Sequence, residues 1–441
     1  MKISPRIRLF TFLGPLAAGL ALCAAFALTG HDGPAAARAA SSPSPGSVAI
    51  TSPNGGEGWG AGTPQTVSWR FTGVTAAQIA GGVRLELLKA GRFHSLIASS
   101  APAGSGSAGS YAWELPLFMA DGSEYRVRIE ASEPSSEYPF YRTITDDSDA
   151  DFSIASNGRI VFASTASGST TSDVFLLDEN GTRRLTSDPA YDNYPALSPG
   201  WNKVAFASRR DGNFEIYVVN ADGTGLLRLT TNAAEDEEPA WSPDGGRIAF
   251  CSNRDGDYEI YVMRSDGSAL QRLTESAQDD KSPVFSPDGS KIAFASSREG
   301  NYEVFVMNAD GTGQHRLTSN IAFDFEPAWS PDGTKIAFAS KRDGDFEIYV
   351  MSATGSDQRR LASSPAEDRH PSWSPDGRKI VFYSKQSGYF DLYVVNSAGG
   401  PATALTTTNA PDWDPNWSPR RPLRFITPLS DKIKVRPKIR R

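Results

Sequence analysis

Glu326-Pro327-Ala328-Trp329-Ser330-Pro331-Asp332-Gly333-Thr334-Lys335-Ile336-Ala337-Phe338 decides the fold, because variants of it return along the chain at one fixed interval. Trp241, Phe285, Trp329, Trp373 and Trp417 stand 44 residues apart, and one step back from Trp241 falls on Leu197. A period of this length marks a repeat architecture, in which each unit buries its faces only against its neighbours. One unit reads as four short strands, at residues 327–330, 335–340, 346–351 and 358–361. The connectors are too short for helices, and Ser-Pro-Asp-Gly suits a tight turn, with Pro fixing φ and Gly taking the position that needs φ > 0. In the third strand Ile348 and Val350 point one way and Tyr349 and Met351 the other. Both faces of so small a sheet are apolar, so both must be covered by stacked neighbours.

Ile160, Val204, Ile248, Ile292, Ile336 and Ile380 hold one place in six repeats. Residues 152–154 and 414–418 both fit the first strand of the first unit. Since 152–154 also completes the segment upstream, 414–418 is assigned to that inner strand. The expected fold is all-β, with a six-bladed β-propeller closed by pairing the end of the chain with its beginning, which leaves no open sheet edge at the seam. The run Trp-Ser-Pro-Asp-Gly, Ile-Ala-Phe-Ala-Ser-x-Arg-Asp-Gly, Glu-Ile-Tyr-Val-Met, Asp-Gly-Thr and Arg-Leu-Thr resembles the WD-repeat-like units of TolB-type propellers over residues 157–419. The resemblance is specific for fold. For function it implies a range, since related propellers serve as protein-binding platforms, as peptidase gates and as lyases.

Ahead of the repeats, residues 66–69, 83–88, 111–115 and 125–129 alternate apolar with polar side chains, as half-buried strands do. About 100 residues of such strands suggest a β-sandwich. The stretches Ile50-Thr51-Ser52-Pro53-Asn54-Gly55-Gly56-Glu57, Gly109-Ser110-Tyr111-Ala112-Trp113 and Asp151-Phe152-Ser153-Ile154 resemble the N-terminal domain of the yeast Kre/Knh cell-wall proteins and the Ser/Thr-rich GPI-anchored membrane family. That resemblance implies an Ig-like or fibronectin-like extracellular module for adhesion or wall contact. Lys2, Arg6 and Arg8 precede an uncharged run over 9–30, the order of an export signal. The run is also long enough to anchor the chain in a bilayer. The expected layout is a signal peptide or anchor over 1–40, a linker over 41–47, the sandwich over 48–155, the propeller over 156–419 and a basic tail over 420–441. Cys251 would be the single cysteine after signal removal, and the alanines at its counterpart positions make it a small buried filler.

Net charge is −7, while residues 420–441 carry nine Lys and Arg against Asp431, a balance of +8. The remainder therefore carries −15, which is −7 less 8. A body so acidic lacks the basic face that nucleic acid needs.

Asp192, Asp236, Asp280, Asp324, Asp368 and Asp412 recur every 44 residues, each three before a proline. Placed just ahead of the innermost strands, they would ring one mouth of the central channel. Such a ring could capture Ca²⁺, which takes several oxygen ligands, or a basic partner segment. The competing account is that each Asp accepts hydrogen bonds within its own loop. Recurrence in every unit favours that account, since what every unit shares is what every unit needs to fold. Positions that break the repeat are better candidates for specificity: Phe325 and Trp413, then Glu238, Glu326, His370 and Asp414, with Tyr194 and Ser282 as the remaining counterparts. Arg210, Arg254, Arg298 and Arg342 open turns on the same face, where pairing with carboxylates is the default. Catalytic readings fare worse: there are four histidines and no Gly-x-Ser-x-Gly elbow. The sequence thus points to an exported, monomeric, non-catalytic binding or scaffold protein of the cell envelope or extracellular space. Its propeller mouth would recognise a protein or peptide and its sandwich a wall polysaccharide, with no cofactor. The alternative is a polysaccharide-active or metal-dependent enzyme housed in the channel.

Overall fold

The computed structural model describes residues 46–135, 141–165, 169–361, 364 and 366–418. The expected export segment and the basic tail lie outside the described residues, as does all of the linker but Gly46 and Ser47. The described chain is all-β, relieved by one short 3₁₀ turn at Ala76–Gln78. No helix among these residues is long and apolar enough to cross a membrane.

Residues 46–155 form two sheets over one core. Ser47–Ser52, Pro64–Thr72 and Ala108–Glu114 make a three-stranded sheet. The larger sheet runs Gly58–Gly60, Phe152–Ala155, Gly122–Pro134, Ala80–Lys89, Arg92–Ala101, with Tyr141–Asp147 also paired to Gly122–Pro134. Alternation sends Val67, Trp69 and Phe71 of one sheet and Leu85, Leu87, Val127 and Ile129 of the other into the shared interior. The intervening residues of the larger sheet carry cross-strand ion pairs, such as Arg128 with Asp147 at 2.6 Å.

The remainder is six four-stranded antiparallel sheets. In the third, the strands are Asp236–Trp241, Arg247–Asp255, Asp257–Arg264 and Gln271–Arg272. Their alternating side chains serve two interfaces: Ile248, Phe250, Tyr261 and Met263 pack against the second sheet, whereas Ala249, Cys251, Ile260 and Val262 receive Phe294 and Phe305 of the fourth. Such a cluster fills the space between every consecutive pair of sheets, and one joins the sixth to the first through Val381, Leu392, Ile160, Phe162 and Trp417. Burial of the wholly enclosed phenylalanines, each contributing about 2–3 kcal/mol, falls between sheets, so no sheet is stable alone.

Asp412–Trp417 pairs with Ile160–Ser164, although the two are far apart in sequence. The inner strands Asp192–Leu197, Asp236–Trp241, Asp280–Phe285, Asp324–Trp329, Asp368–Trp373 and Asp412–Trp417 each contact the next, and the last contacts the first. The short link at residues 156–159 is pinned at this seam. The indole of Trp417 donates to the Asn157 carbonyl at 2.7 Å, and Phe118 packs on the same ring.

Candidate functional site

Each inner strand begins Asp-x-x-Pro, and proline has no N–H to give the ladder. In the third sheet Asp236 and Glu237 face Ser252 and Cys251, while Ala240 and Trp241 face Ala249 and Ile248. Glu238 and Pro239 therefore oppose Phe250 alone, which is a β-bulge. The same register shift occurs in all six sheets. The residue ahead of each proline takes a left-handed backbone, with φ of 54° at Tyr194, 55° at Glu238, 52° at Ser282, 55° at Glu326, 52° at His370 and 50° at Asp414. Left-handed backbone costs a residue with a Cβ about 1–2 kcal/mol, and six such residues at one level mark a built feature.

The bulges turn these six side chains onto the wall of an axial cavity of about 330 Å³. Below them lie the six prolines and then a layer of small groups, Ala196, Ala240, Val284, Ala328, Ser372 and Asn416. The next layer is large and apolar: Leu197, Trp241, Phe285, Trp329, Trp373 and Trp417. The indoles of Trp241 and Trp373 each donate to a carbonyl of the preceding inner strand, Ala196 at 3.0 Å and Ala328 at 3.1 Å, so they brace the ring. The indole nitrogen of Trp329 is buried without such a partner.

Around the bulge layer, carboxylates alternate with other groups: Tyr194, Glu238, Ser282, Glu326, His370, Asp414. Each carboxylate takes the inward-facing amide of the next bulge residue. Glu238 accepts from Ser282, Glu326 from His370 at 2.8 Å, and Asp414 from Tyr194 across the seam. Nε2 of His370 lies 3.4 Å from both Glu326 and Asp414, its ring stacked on Tyr383 and inclined to Tyr194. Asp414 is 6% exposed. Burial, helped by the negative field of Glu326 and opposed by His370, pushes its carboxyl up to about 6. Burial alone would lower the guanidinium of Arg369, but Glu326, 2.6 Å away, raises it overall. Burial and the negative field of Asp414 and Glu238 raise the Tyr194 hydroxyl, which stays protonated. Cys251 is buried beside Glu238, and burial pushes its thiol well up, as suits an inert filler.

The six repeated aspartates are not on this wall, which corrects their expected place around the mouth. They are the first residues of the inner strands rather than loop residues ahead of them, and all are buried. Arg210, Arg254, Arg298 and Arg342 reach back to Asp192, Asp236, Asp280 and Asp324 at 2.6–3.0 Å. Each guanidinium lies against two aromatic rings of its own sheet, as Arg254 does against Phe250 and Tyr261. Asp368 accepts from Ser364, and Asp412 is held by Ser164 and Thr406. Regular pleating would put residues i and i+2 on one face, but the left-handed bulge residue swings away from its Asp. Phe325 and Trp413, one position before the bulge, also turn from the cavity: Phe325 packs on Tyr302 with centroids 4.8 Å apart, and Trp413 joins the seam cluster. Glu238, Glu326, His370 and Asp414 do line it, together with Tyr194 and Ser282, which were named only as counterparts. The Asp-x-x-Pro spacing was the available signal for the bulge. Among the described residues no group of three or more His, Cys, Asp or Glu is placed to hold a metal ion.

Radially stacked four-stranded sheets around an axial cavity define a β-propeller. The TolB beta propeller domain model matches residues 151–284, 276–356 and 327–435, and the chain belongs to that family. In structure it is similar to TolB from Acinetobacter baumannii, at 20% identity and TM-score 0.55, covering 69% of this chain and 81% of that one. Hydrazine synthase from Kuenenia stuttgartiensis is similar at 18% identity and TM-score 0.50, over 58% of this chain and 46% of that one. A TolB-related structure from Agrobacterium tumefaciens matches at 23% identity and TM-score 0.49, over 56% and 88%. These likenesses are of fold. No significant match is found among curated proteins.

Proposed function

We propose that the chain is an exported, non-catalytic binding protein of the cell envelope or extracellular space, and that the bulge-lined mouth of a closed six-bladed propeller recognises a protein or peptide partner. The observation that carries this reading is the division of labour within the repeat. Ser-Pro and the buried Asp recur in all six blades, and an Arg partner in four of them, while the charged and polar character that faces the cavity changes from blade to blade at the bulge position. A surface required only for folding would repeat there too. The two sheets over residues 48–155 act as an Ig-like module for envelope or wall contact, docked on the seam through Phe118 and Asn157. Similarity to TolB from Acinetobacter baumannii supports the propeller fold on which this reading rests.

The test is capture of partners from an envelope extract by wild-type protein and by a folded Glu238→Gln, His370→Asn double variant. Loss of a specific partner supports the reading, and an unchanged set removes the mouth from it. One observation favours the catalytic alternative: His370 between Glu326 and Asp414 resembles an acid–base pair with a carboxyl poised near neutrality. Turnover of an oligosaccharide by wild type, abolished in His370→Asn, would establish it.

A further inference from the structure

We propose that the sixth sheet carries a socket for a guanidinium supplied by another molecule, in the place that the second to fifth sheets fill with an arginine of their own. The socket is built on Asp368, which is not part of the axial cavity wall, so it goes beyond the reading of the mouth.

One arrangement recurs in the second to fifth sheets. Arg210, Arg254, Arg298 and Arg342 each follow by two residues the serine that ends or nears the end of the second strand. Nε donates to that serine, Ser208, Ser252, Ser296 or Ser340, at 2.7–2.8 Å. A terminal nitrogen donates to the buried Asp of the inner strand at 2.6–3.0 Å. The cation rests 4.5–5.0 Å from the centroid of a third-strand ring. These arginine side chains keep 18–24% exposure, so the place that holds each cation opens to solvent at its rim.

The sixth sheet keeps the receiving groups and changes the cation. Asp368 stands opposite Ser384 as Asp236 does opposite Ser252. Phe382 and Tyr393 stack with centroids 6.1 Å apart, as Phe250 and Tyr261 do at 5.9 Å. The residue two beyond the serine is the neutral, exposed Gln386. Two atoms that a guanidinium satisfies in the other sheets are left over: Oδ2 of Asp368 and Oγ of Ser384 are buried without a hydrogen-bond partner, on residues with no exposed surface. Ser364 takes the other carboxylate oxygen at 3.0 Å. Among the described residues Asp368 has no ion-pair partner; the field of Arg360 reaches it, but that guanidinium is bonded to Glu347. Burial raises the Asp368 carboxyl, and the nearby Ser384, Ser364 and Gln386 side chains oppose this without closing a bond to Oδ2. The uncompensated charge is felt next door, where burial and then Asp368 push the Glu347 carboxyl up to about 7.

The leftover groups select a guanidinium. Its donors lie in one rigid plane, so a single group meets Ser384 and Asp368 together while its face rests on Phe382 and Tyr393. An ammonium is a compact point charge that pairs with Asp368 alone. One carboxylate and one hydroxyl fall short of the six to eight oxygens, roughly, that Ca²⁺ takes. Entry displaces the exposed Gln386 side chain, which carries no charge to hold it in place.

The probes are the blocked peptide Ac-Gly-Arg-Gly-amide, its citrulline and lysine counterparts, and N-ethylguanidinium, each titrated calorimetrically into the full chain. The arginine peptide should bind with a Kd of about 1 mM or tighter, and the citrulline and lysine peptides about tenfold or more weakly. N-ethylguanidinium that matches the arginine peptide points to a small guanidino compound as ligand, and weaker binding points to an arginine within a peptide; either supports the socket. Gln386→Arg supplies the cation within the chain, so it should raise the thermal midpoint and abolish binding of the arginine peptide. Ser384→Ala should weaken the arginine peptide by about fivefold, the worth of one hydrogen bond, and leave the lysine peptide unchanged. This second variant keeps the test open if Gln386→Arg misfolds. Equal binding of the lysine or citrulline peptide, no arginine binding at about 10 mM, or a folded Gln386→Arg protein that still binds the peptide or gains no stability overturns the proposal. Partner capture by the mouth does not depend on Gln386, so the two readings fail separately.

Discussion

Replacing Arg254 with Met removes the ion-pair partner of a buried carboxylate. Asp236 is fully buried and accepts two bonds from Arg254, at 2.9 and 2.8 Å, and one from Asn232 at 2.6 Å. Breaking a buried pair by deleting one side costs about 3–5 kcal/mol, because the survivor is left charged in a medium that cannot solvate it. The Arg254 side chain retains 19% exposure, which argues for the lower end. Its bond to Ser252 and its contact with Tyr261 add about 1 kcal/mol each, while the methionine regains apolar burial of like size. The net expectation is about 3 kcal/mol, read from the urea midpoint and slope. Adding Asp236→Asn should recover roughly half, since the charge that lost its partner is gone. A cost below about 0.5 kcal/mol, or a double variant no better than the single, would refute the assignment of the repeated Asp residues to the framework.

Ser282→Gly should raise the thermal midpoint by the equivalent of about 1 kcal/mol, because glycine adopts the left-handed backbone without strain and the amide bond to Glu238 survives. Trp417→Phe leaves the Asn157 carbonyl unsatisfied at the seam and should cost about 1–3 kcal/mol, read by urea titration. Stability should fall as pH rises from 5 to 8. Burial holds Asp280 and Asp414 up at about 6 and Glu347 at about 7. The unfolded chain releases these protons near pH 4, so each group stabilises the fold fully below that and loses its contribution through its folded value. Asp288, lowered to about 2 by Ser286 and Ser290, acts the other way and erodes stability as pH falls below about 4. Thermal midpoints across this range check the sign, and a flat or rising profile from 5 to 8 would contradict it.

The propeller family was legible because its determinants are periodic: Trp329 and its counterparts, Ile336 and its counterparts, and the turn prolines and glycines recur every 44 residues. The site was legible only in part. Recurrence favoured a structural role for Asp192 and its five equivalents, and the Arg turns supplied the partners, but the start of each inner strand at that Asp was hidden. Period-2 reading assigns Asp236 and Glu238 to one face, and only the left-handed bulge just ahead of Pro239 separates them. Phe325 and Trp413 were misplaced for the same reason. The alternation of carboxylates with Tyr194, Ser282 and His370 could be written down from sequence, but it acquires meaning only once the six positions meet around one cavity.

The claim that the bulge ring, and not the buried aspartate ring, carries recognition is tested most directly by partner capture from envelope extract with two matched folded variants. The first carries Glu238→Gln and Asp414→Asn, and the second Asp236→Asn and Asp324→Asn. The account predicts that the first loses its partner at unchanged stability, and that the second is less stable yet keeps the partner. The reverse pattern would contradict it.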